Sequence, residues 1–242
     1  MEEVKNTKLI GIGNEGIKKL EEVESKIVEK IDTEKININK DVDKDYVRAL
    51  LDGVDILLLT YNSEDKKVRD IVKAISFMAV ERRVLCIGLD SSLKENKDEM
   101  GVDQEIKINK YNFEKIQDLL NIVVESIDEN VFLAIDLTDL RDIFNKESAI
   151  SYSYEEFAHD TDIDSIVKAL VEETYATEGE ATKKKAILFY ELEKELIENE
   201  LMFINDINMK VSEMIGDTYD ILFSFNSVED NDKKLKISLI TR

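Results

Sequence analysis

The chain contains very little cysteine and histidine, with one residue of each among 242. The lone Cys86 excludes an internal disulfide, and its apolar neighbours in RRVLCIGL indicate a core position. The lone His159 has no cysteine and no second histidine with which to bind zinc, so we expect it to lie in a solvated loop. From these absences the sequence predicts no metal site.

Positive charge is also scarce, since 33 Lys and Arg residues face 54 Asp and Glu residues, for a formal net charge of −21. Binding of nucleic acid or of an anionic membrane needs a basic patch, so we expect neither partner. No apolar run approaches the roughly 20 residues of a membrane helix, and the opening MEEVKNTK carries acids where a signal peptide has positive charge. We therefore expect a cytoplasmic protein without direct membrane binding.

What the first half does contain is a regular alternation of apolar strands and amphipathic helices. Repeated strand–helix–strand units predict an α/β fold with a mainly parallel, Rossmann-like sheet. The strand patterns lie at 7–12, 35–39, 54–60, 83–89 and 104–108, and the helix patterns at 16–31, 44–51 and 64–81.

The second half has a different order of elements. Helix patterns lie at 137–144, 163–174 and 192–215, and strand patterns at 149–154, 184–191, 220–226 and 234–241. Two successive strands at the end predict a mixed sheet. We predict a nucleotide-binding-like domain over 1–109, a long central helix over 110–128, and a C-terminal α+β domain over 129–242.

The turn after the first strand is rich in glycine. Gly11, Gly13 and Gly16 in LIGIGNEGIKKL suit the close approach of a phosphate to the start of a helix. GIGNEG also fits the dinucleotide fingerprint, so a Rossmann-type dinucleotide-binding enzyme is one alternative. The ribose-binding acid of that fingerprint has no clear match, because Asp32 comes too early and Asp41 too late.

The turn after the third strand contains no glycine. LLLTYNSEDKKVRDIVKAI, Leu57 to Ile75, passes from a buried strand into a helix through acids and lysines. Such a turn is where α/β proteins usually bind a phosphate, and glycine normally permits the close approach of the backbone.

Two α/β halves joined by a long helix, with a glycine turn after the first strand, resemble the tubulin/FtsZ superfamily of filament-forming GTPases. LIGIGNEGIKKL resembles the family's first phosphate loop, GVGGAGGNAV, and GVDILLLT resembles the strand GADMVFITA. LAIDLTDLRDIF resembles NVDFADVRTVM, which follows the central helix, and KKLKISLIT resembles the last strand, DELRVTVVAT. The matches fall in the family's order and cover nearly the whole chain.

The resemblance implies a degenerate nucleotide site. The family signature GGGTGTG, which wraps the nucleotide phosphates, falls on Ser63 to Arg69, where no glycine remains. The family's asparagine after the first loop becomes Lys18, and the third phosphate loop is deleted between positions 39 and 44. The family's base-reading acid corresponds at best to Glu114, and the neighbouring asparagine corresponds to Phe113. We expect no cofactor, or GTP and GDP if Gly11, Gly13 and Gly16 keep residual activity.

Carboxylates offer a reason why the fold could stand without nucleotide. Glu15, Glu64 and Asp65 lie near the starts of helices, where the dipole favours negative charge, so they can stand in for lost phosphates. Asn62 or Ser63 is expected to cap the second of these helices.

Two acids of the family's catalytic loop are retained by resemblance, as Asp136 and Asp139, while its asparagine becomes Ala134. In the family this loop reaches the nucleotide of the next subunit, which makes the pair candidate catalytic residues. An N-cap followed by an acid three residues later is also a common start of a helix, so a purely structural role stays open.

DTDID, Asp160 to Asp164, has the spacing of a calcium loop but lacks its glycine and its final glutamate. We expect it to form the acidic start of a helix.

By resemblance, the protein is a structural or regulatory relative of FtsZ that binds and hydrolyses GTP poorly. It is expected to assemble with itself or with an FtsZ-type cell-division GTPase in a bacterial cytoplasm. The alternatives are a residual GTPase of the FtsZ family and the dinucleotide-binding enzyme.

Overall fold

The computed structural model describes residues 6–25, 31–94, 98–125, 135–145, 149–172, 175–176, 185–193, 201–216, 219–228 and 234–242. These residues form two compact units. The described residues up to Val124, together with 140–145, make the first unit, and the described residues of 125–139 and from 149 onward make the second.

The first unit contains a five-stranded sheet with the order β2-β1-β3-β4-β5, in which every neighbouring pair is parallel. The parallel sheet predicted from the alternating pattern is therefore confirmed. Its strands are buried because helices must cross over the faces of a parallel sheet. The strands are β1 (Asn6–Ile12), β2 (Asp32–Ile36), β3 (Val54–Tyr61), β4 (Leu85–Asp90) and β5 (Gln104–Lys107).

Three amphipathic helices connect successive strands: α1 (Gly13–Glu24), α2 (Lys44–Leu50) and α3 (Lys66–Glu81). A fourth helix, α4 (Phe113–Glu125), follows β5. In α3 the buried residues Val68, Val72, Ile75 and Ala79 recur every three or four positions, which places one stripe against the core. Cys86 lies fully buried in β4, as its apolar neighbours predicted, and burial raises the pKa of its thiol.

The second unit contains a mixed five-stranded sheet with the order β7-β6-β10-β8-β9. All neighbours are antiparallel except β8 and β9, which are parallel, so the predicted mixed sheet is confirmed. The last two strands are successive in the chain but not neighbours, because β10 lies between β6 and β8. The strands are β6 (Ser151–Ala158), β7 (Tyr175–Ala176), β8 (Lys185–Glu193), β9 (Asp220–Val228) and β10 (Lys234–Thr241).

Three more helices complete the described elements: α5 (Leu137–Ile143), α6 (Ile163–Glu172) and α7 (Leu201–Ile215). The core of the second unit contains Ile166 and Leu170 from α6, Ile207 from α7, and stacked Tyr190 and Phe225 from β8 and β9, with ring centroids 5.1 Å apart. Among the described residues, no helix is long and apolar enough to cross a membrane.

Several predicted boundaries differ from the structure. The first helix begins at Gly13 rather than Gly16, and β6 runs over Ser151–Ala158 rather than 149–154. The second strand runs over Asp32–Ile36 rather than 35–39, because it pairs with β1 from Asp32 onward. The helix predicted over 192–215 is described as Leu201–Ile215. Buried Leu192 belongs instead to β8, whose pairing with β9 continues to Glu193, and positions 194–200 lie outside the described residues. The central helix is described as Phe113–Glu125, and positions 126–128 lie outside the described residues.

Candidate functional site

The candidate site is the edge of the first sheet at which all five parallel strands end. Gly11, Gly13 and Gly16 lie together there, at the end of β1 and the start of α1. Gly13 has φ = +71°, a left-handed conformation that side chains rarely adopt. A Cβ atom on Gly16 would lie 2.3 Å from the carbonyl oxygen of Thr60 in β3, so glycine lets α1 pack directly on the sheet.

Thr60 fastens this turn from β3. Its hydroxyl donates to the carbonyl oxygen of Gly16 at 2.8 Å, and the hydroxyl is fully buried. The close packing of α1 on β3 therefore accounts for Gly16 without any ligand. Whether Gly11, Gly13 and Gly16 contact a phosphate stays a prediction.

The loop after β3 is held closed by its own side chains. The Asn62 side chain accepts a hydrogen bond from the Glu64 amide at 2.9 Å, and Asp65 accepts one from the Lys67 amide at 2.8 Å. The cap of α3 is therefore Asp65, and the expectation of Asn62 or Ser63 as the cap is wrong. The side chain of Asn62 forms a local turn instead, and that of Ser63 turns inward.

Glu64 contacts a second loop, the one after β4. Its carboxylate accepts from the Leu93 amide at 3.2 Å and lies 3.4 Å from Lys94 Nζ. Hydrogen bonds from these two residues lower the pKa of Glu64. Of the carboxylates expected to stand in for phosphate, Asp65 does cap a helix, whereas Glu64 binds the neighbouring loop.

A buried carboxylate, Asp90, lies at the centre of this edge. Its Oδ1 accepts from the amides of Ser63 and Ser92 at 3.0 and 2.9 Å. Its Oδ2 lies 2.6 and 2.8 Å from the two serine hydroxyls and also accepts from Lys107 Nζ. The Asp90 side chain is 0% exposed, whereas that of Lys107 is 33% exposed. We call Asp90, Ser63, Ser92 and Lys107 the Asp90 cluster.

Strand register builds this cluster. Tyr61, Asp90 and Lys107 are directly paired residues at the ends of β3, β4 and β5, so their side chains lie on the same face of the sheet. Gly88, two residues before Asp90, leaves room for Tyr61, whose hydroxyl donates to Glu105 at 2.7 Å. A Cβ atom on Gly88 would lie 2.5 Å from that hydroxyl.

The two acids at this edge have opposite pKa shifts. Burial alone would raise the pKa of Asp90, but hydrogen bonds from Lys107, Ser63 and Ser92 outweigh it and hold the pKa below its ordinary value. Burial raises the pKa of Glu105, and the hydrogen bond from Tyr61 offsets only part of this effect. Asp90 is therefore a firmly ionised anion at neutral pH.

The segment that would carry the third phosphate loop is short and tied down. The Lys40 amide donates to the Asn37 carbonyl at 2.9 Å, and Lys40 Nζ lies 3.0 Å from Glu34 and 2.8 Å from the Tyr46 hydroxyl. Asp43 caps α2 by accepting from the Tyr46 amide at 2.8 Å. These contacts close the connection between β2 and α2.

The candidate base-reading residues have few features of a binding site. Lys19 Nζ lies 5.0 Å from the centroid of the Phe113 ring, within the range of a cation–π contact, and Glu114 is exposed. Lys18, at the position of the family's asparagine, is exposed on α1.

The geometry of the fold matches known structures over nearly its whole length. FtsZ from M. jannaschii, solved as an empty dimer, is 12% identical and has a TM-score of 0.60, covering 98% of this chain and 88% of that chain. TubZ from Bacillus thuringiensis serovar israelensis, in GDP-form protofilaments, is 13% identical and has a TM-score of 0.54, covering 99% and 88%. The chain has an FtsZ/tubulin-like fold. No protein-family model and no curated protein matches the sequence.

In this FtsZ/tubulin-like fold, the structure places the candidate catalytic acids at the start of α5. Asp136 precedes the helix, and its carboxylate accepts from the Thr138 amide at 2.7 Å, the geometry of an N-cap. Asp139 lies in the first turn, 3.9 Å from Lys185 Nζ. Both acids thus have structural partners, while Ala134 lies outside the described residues. Their catalytic role stays a prediction.

The calcium-like segment is the start of a helix, as expected. Asp162 accepts from the amide and hydroxyl of Ser165 at 2.9 and 2.7 Å, and these bonds lower its pKa. Asp164 pairs with Lys210 of α7. His159 is exposed in the preceding turn. Within the part of the chain that the structure describes, no group of acids, histidines and cysteines is arranged to hold a metal ion.

Sequence reasoning missed the Asp90 cluster. Asp90, Ser92 and Lys107 are common surface residue types, and no short motif marks them. The available signal was positional, because each lies at or just after the end of a buried strand, and parallel strands end at one edge.

Proposed function

We propose that the protein is a structural or regulatory member of the FtsZ/tubulin fold that works without bound nucleotide. It assembles with itself or with a GTP-bearing FtsZ-type partner. The observation that carries this proposal is the Asp90 cluster, which fills the edge of the sheet beside the loop on which the family's phosphate signature falls.

The hydrogen-bond donors at this edge of the sheet already have an acceptor. A phosphate bound beside the loop after β3 would draw on the backbone amides of the loops after β3 and β4. The Asp90 carboxylate already accepts from two of these amides, those of Ser63 and Ser92. Lys107, the nearby cation, also binds Asp90. The residues present therefore do not fit a nucleotide phosphate.

The carboxylates at this edge oppose the negative charge of a phosphate. Asp90 is buried and ionised, and Glu64 and Asp65 add two carboxylates on the adjoining loop. A unit charge of the same sign at about 4 Å raises the energy of a bound phosphate by about 1 kcal/mol in water and by about 4 kcal/mol near a protein surface. An uncompensated repulsion of this size would lower affinity between about fivefold and a thousandfold, and the pairing of Asp90 with Lys107 and of Glu64 with Lys94 reduces it.

Self-association is supported by the two structural neighbours, which were solved as a dimer and as protofilaments. The dimer of M. jannaschii FtsZ is described as empty. This chain has the same fold, and its Asp90 cluster occupies the edge of the sheet. It is thus suited to assemble without binding a nucleotide itself.

A residual GTPase is the second candidate, and the start of α1 favours it. Ile12 precedes this helix and offers no side-chain oxygen to cap it, while Gly13 keeps the left-handed turn. Amides at the start of a helix without a side-chain cap are the groups that bind phosphates in related arrangements. On this reading GTP would be held by Gly11, Gly13 and Gly16 alone.

Assembly at several protein concentrations tests the proposal. Sedimentation velocity should show species larger than the monomer, with the same distribution in the absence of nucleotide and in the presence of GTP or GDP with magnesium. If only monomer is found, the same experiment with an added FtsZ-type GTPase should show co-sedimentation. A monomer that neither assembles nor co-sediments, or an assembly that requires GTP, would contradict the proposal.

Replacing Ser63–Arg69 with GGGTGTG locates the barrier to nucleotide. If the loop alone excludes GTP, the exchanged chain gains binding. If the exchange must be combined with Asp90→Ala to gain binding, the buried carboxylate contributes to the exclusion. NAD serves as a control for the dinucleotide alternative, because stoichiometric NAD binding by the unaltered chain would favour that enzyme class instead.

A further inference from the structure

Hydrogen-bond donors surround the Asp90 carboxylate. Five groups point at it: two amides, two serine hydroxyls and one ammonium. Ser63 and Ser92 are 1% and 8% exposed, so most of these donors are shielded from water.

This donor set has the composition of an oxyanion site. Convergent backbone amides, hydroxyls and a cation are the groups with which proteins bind phosphate, sulfate and carboxylate. The donors come from three separate segments of the chain, the loops after β3 and β4 and the end of β5, and they converge on one point. Asp90 supplies the anion from within the chain.

The arrangement would be unfavourable without an anion. Removing the carboxylate would leave the buried amides of Ser63 and Ser92 without an acceptor and would remove the nearer of the two carboxylates beside Lys107, the other being that of Glu105 at 3.9 Å. An unsatisfied buried donor is strongly destabilising. An external anion of the right size could restore the same hydrogen bonds, since other contacts also hold the donors. Lys107 is held by the pairing of β5 with β4, and the amide and hydroxyl of Ser91 tie the loop after β4 to the Tyr61 carbonyl at 2.9 and 3.0 Å.

We propose that the Asp90 cluster is a self-occupied oxyanion site, in which the chain's own carboxylate takes the place of a small external anion. Unaltered protein is closed to such anions. A chain without the Asp90 carboxylate binds a free carboxylate there. This inference rests on the proposed function, in which the edge of the sheet is closed to nucleotide. Its test is separate from the test of nucleotide binding.

The test uses Asp90→Ala and formate, which has the size of the missing carboxylate. Thermal unfolding is followed by circular dichroism in sodium formate and in sodium chloride at equal ionic strength. Formate should raise the Tm of Asp90→Ala saturably, because a ligand that binds only the folded state stabilises it. Neutral formamide should have no such effect. The unaltered protein should show the same Tm in formate and in chloride.

Two further variants isolate the site. Adding Lys107→Ala to Asp90→Ala should weaken formate binding about tenfold or more, because a hydrogen bond to a charged group is lost. Asp103→Ala is the matched control. Asp103 lies just before β5 and outside the cluster, and its carboxylate accepts from the Cys86 amide of β4 at 2.8 Å. Formate should not raise the Tm of Asp103→Ala beyond its effect on the unaltered protein.

Asp90→Asn covers the case in which Asp90→Ala fails to fold. Its side chain has the same size but is uncharged, and it should lower the Tm more than Asp103→Asn does. An equal or smaller loss would overturn the inference, as would a folded Asp90→Ala chain on which formate and chloride act alike. GTP binding by the unaltered protein would instead count against the proposed function, and formate rescue would still identify the oxyanion site.

Discussion

Replacing Lys107 with methionine tests the electrostatic account of the sheet edge. The change keeps most of the apolar stem but removes the ammonium that pairs with fully buried Asp90. Breaking a fully buried ion pair destabilises a protein by about 3–5 kcal/mol. Because Lys107 is 33% exposed, water can replace part of the lost interaction. A loss of about 1.5–3 kcal/mol, the contribution of a charged hydrogen bond, is therefore expected.

Urea unfolding at pH 7 measures this loss. Thermal unfolding gives a second measure, because each kcal/mol should lower the Tm of a chain of this length by about 2–4 °C. Lys35→Met is the matched control, since Lys35 pairs with Glu21 at 2.6 Å but both side chains are about half exposed. Such surface pairs contribute little, so the control should unfold like the unaltered protein.

The pH dependence gives a second signature of the same variant. In the unaltered protein the lowered pKa of Asp90 stabilises the fold above the ordinary aspartate pKa of about 3.9, and this contribution is lost as pH falls through the folded-state value. Without Lys107 the pKa of Asp90 should rise. The stability difference between the two proteins should therefore shrink as the pH is lowered from 7 to about 4. A difference that is absent at pH 7, or constant with pH, would refute the reasoning.

Three other substitutions have expected outcomes. Gly16→Ala should lower the free energy of unfolding by about 1–3 kcal/mol, because its Cβ would overlap the Thr60 carbonyl, while Lys18→Ala on the same helix should have little effect. Glu105→Gln should not destabilise the protein at pH 7. Because burial raises the pKa of Glu105, the protonated form stabilises the fold below the unfolded-state pKa, and this stabilisation is lost as the pH rises through the folded-state pKa. Asp136→Ala should cost about 1 kcal/mol through the lost cap, whereas Asp136→Asn should retain it.

Each of these has a contradicting result. A Gly16→Ala protein as stable as the unaltered chain would mean that α1 does not pack on β3 as closely as described. Chemical denaturation of Glu105→Gln from pH 4 to 8 should give a flatter stability curve than that of the unaltered protein, and an unchanged curve would contradict the role of Glu105. An Asp136→Ala protein as stable as the unaltered chain would contradict the capping role of Asp136, whereas an Asp136→Asn protein that keeps its stability but no longer assembles would indicate that the charge of Asp136 acts in assembly.

Much of the fold was predictable because buried parallel strands and amphipathic helices have distinct periodicities. VDILLLT and RVLCIGL are continuous apolar runs, which is why β3 and β4 were recognisable, and the order of the family-like motifs predicted the fold that the comparison supports. Boundaries were less predictable where pairing overrides local preference. Leu192 fits a helical stripe in the sequence but lies in β8, because β9 provides a partner for it.

The site was harder to predict for a physical reason. The glycine turn after β1 and the missing glycines after β3 are local features of the sequence. The Asp90 cluster depends on the register of three strands, which places Tyr61, Asp90 and Lys107 in one row across the sheet. No local pattern encodes that row. The N-cap was misassigned because Asn62, Ser63 and Asp65 are all good caps. The tertiary bond to Asp90 occupies Ser63, and Asn62 accepts from the Glu64 amide instead, which leaves Asp65 as the cap.

Calorimetric titration of the unaltered protein with GTP and GDP in magnesium tests the central claim most directly. We expect no heat of binding and no change in Tm, because the amides of Ser63 and Ser92 already donate to Asp90. Stoichiometric GTP binding with a micromolar dissociation constant would contradict it, and would show that the glycine turn after β1 holds the nucleotide despite the carboxylates beside it.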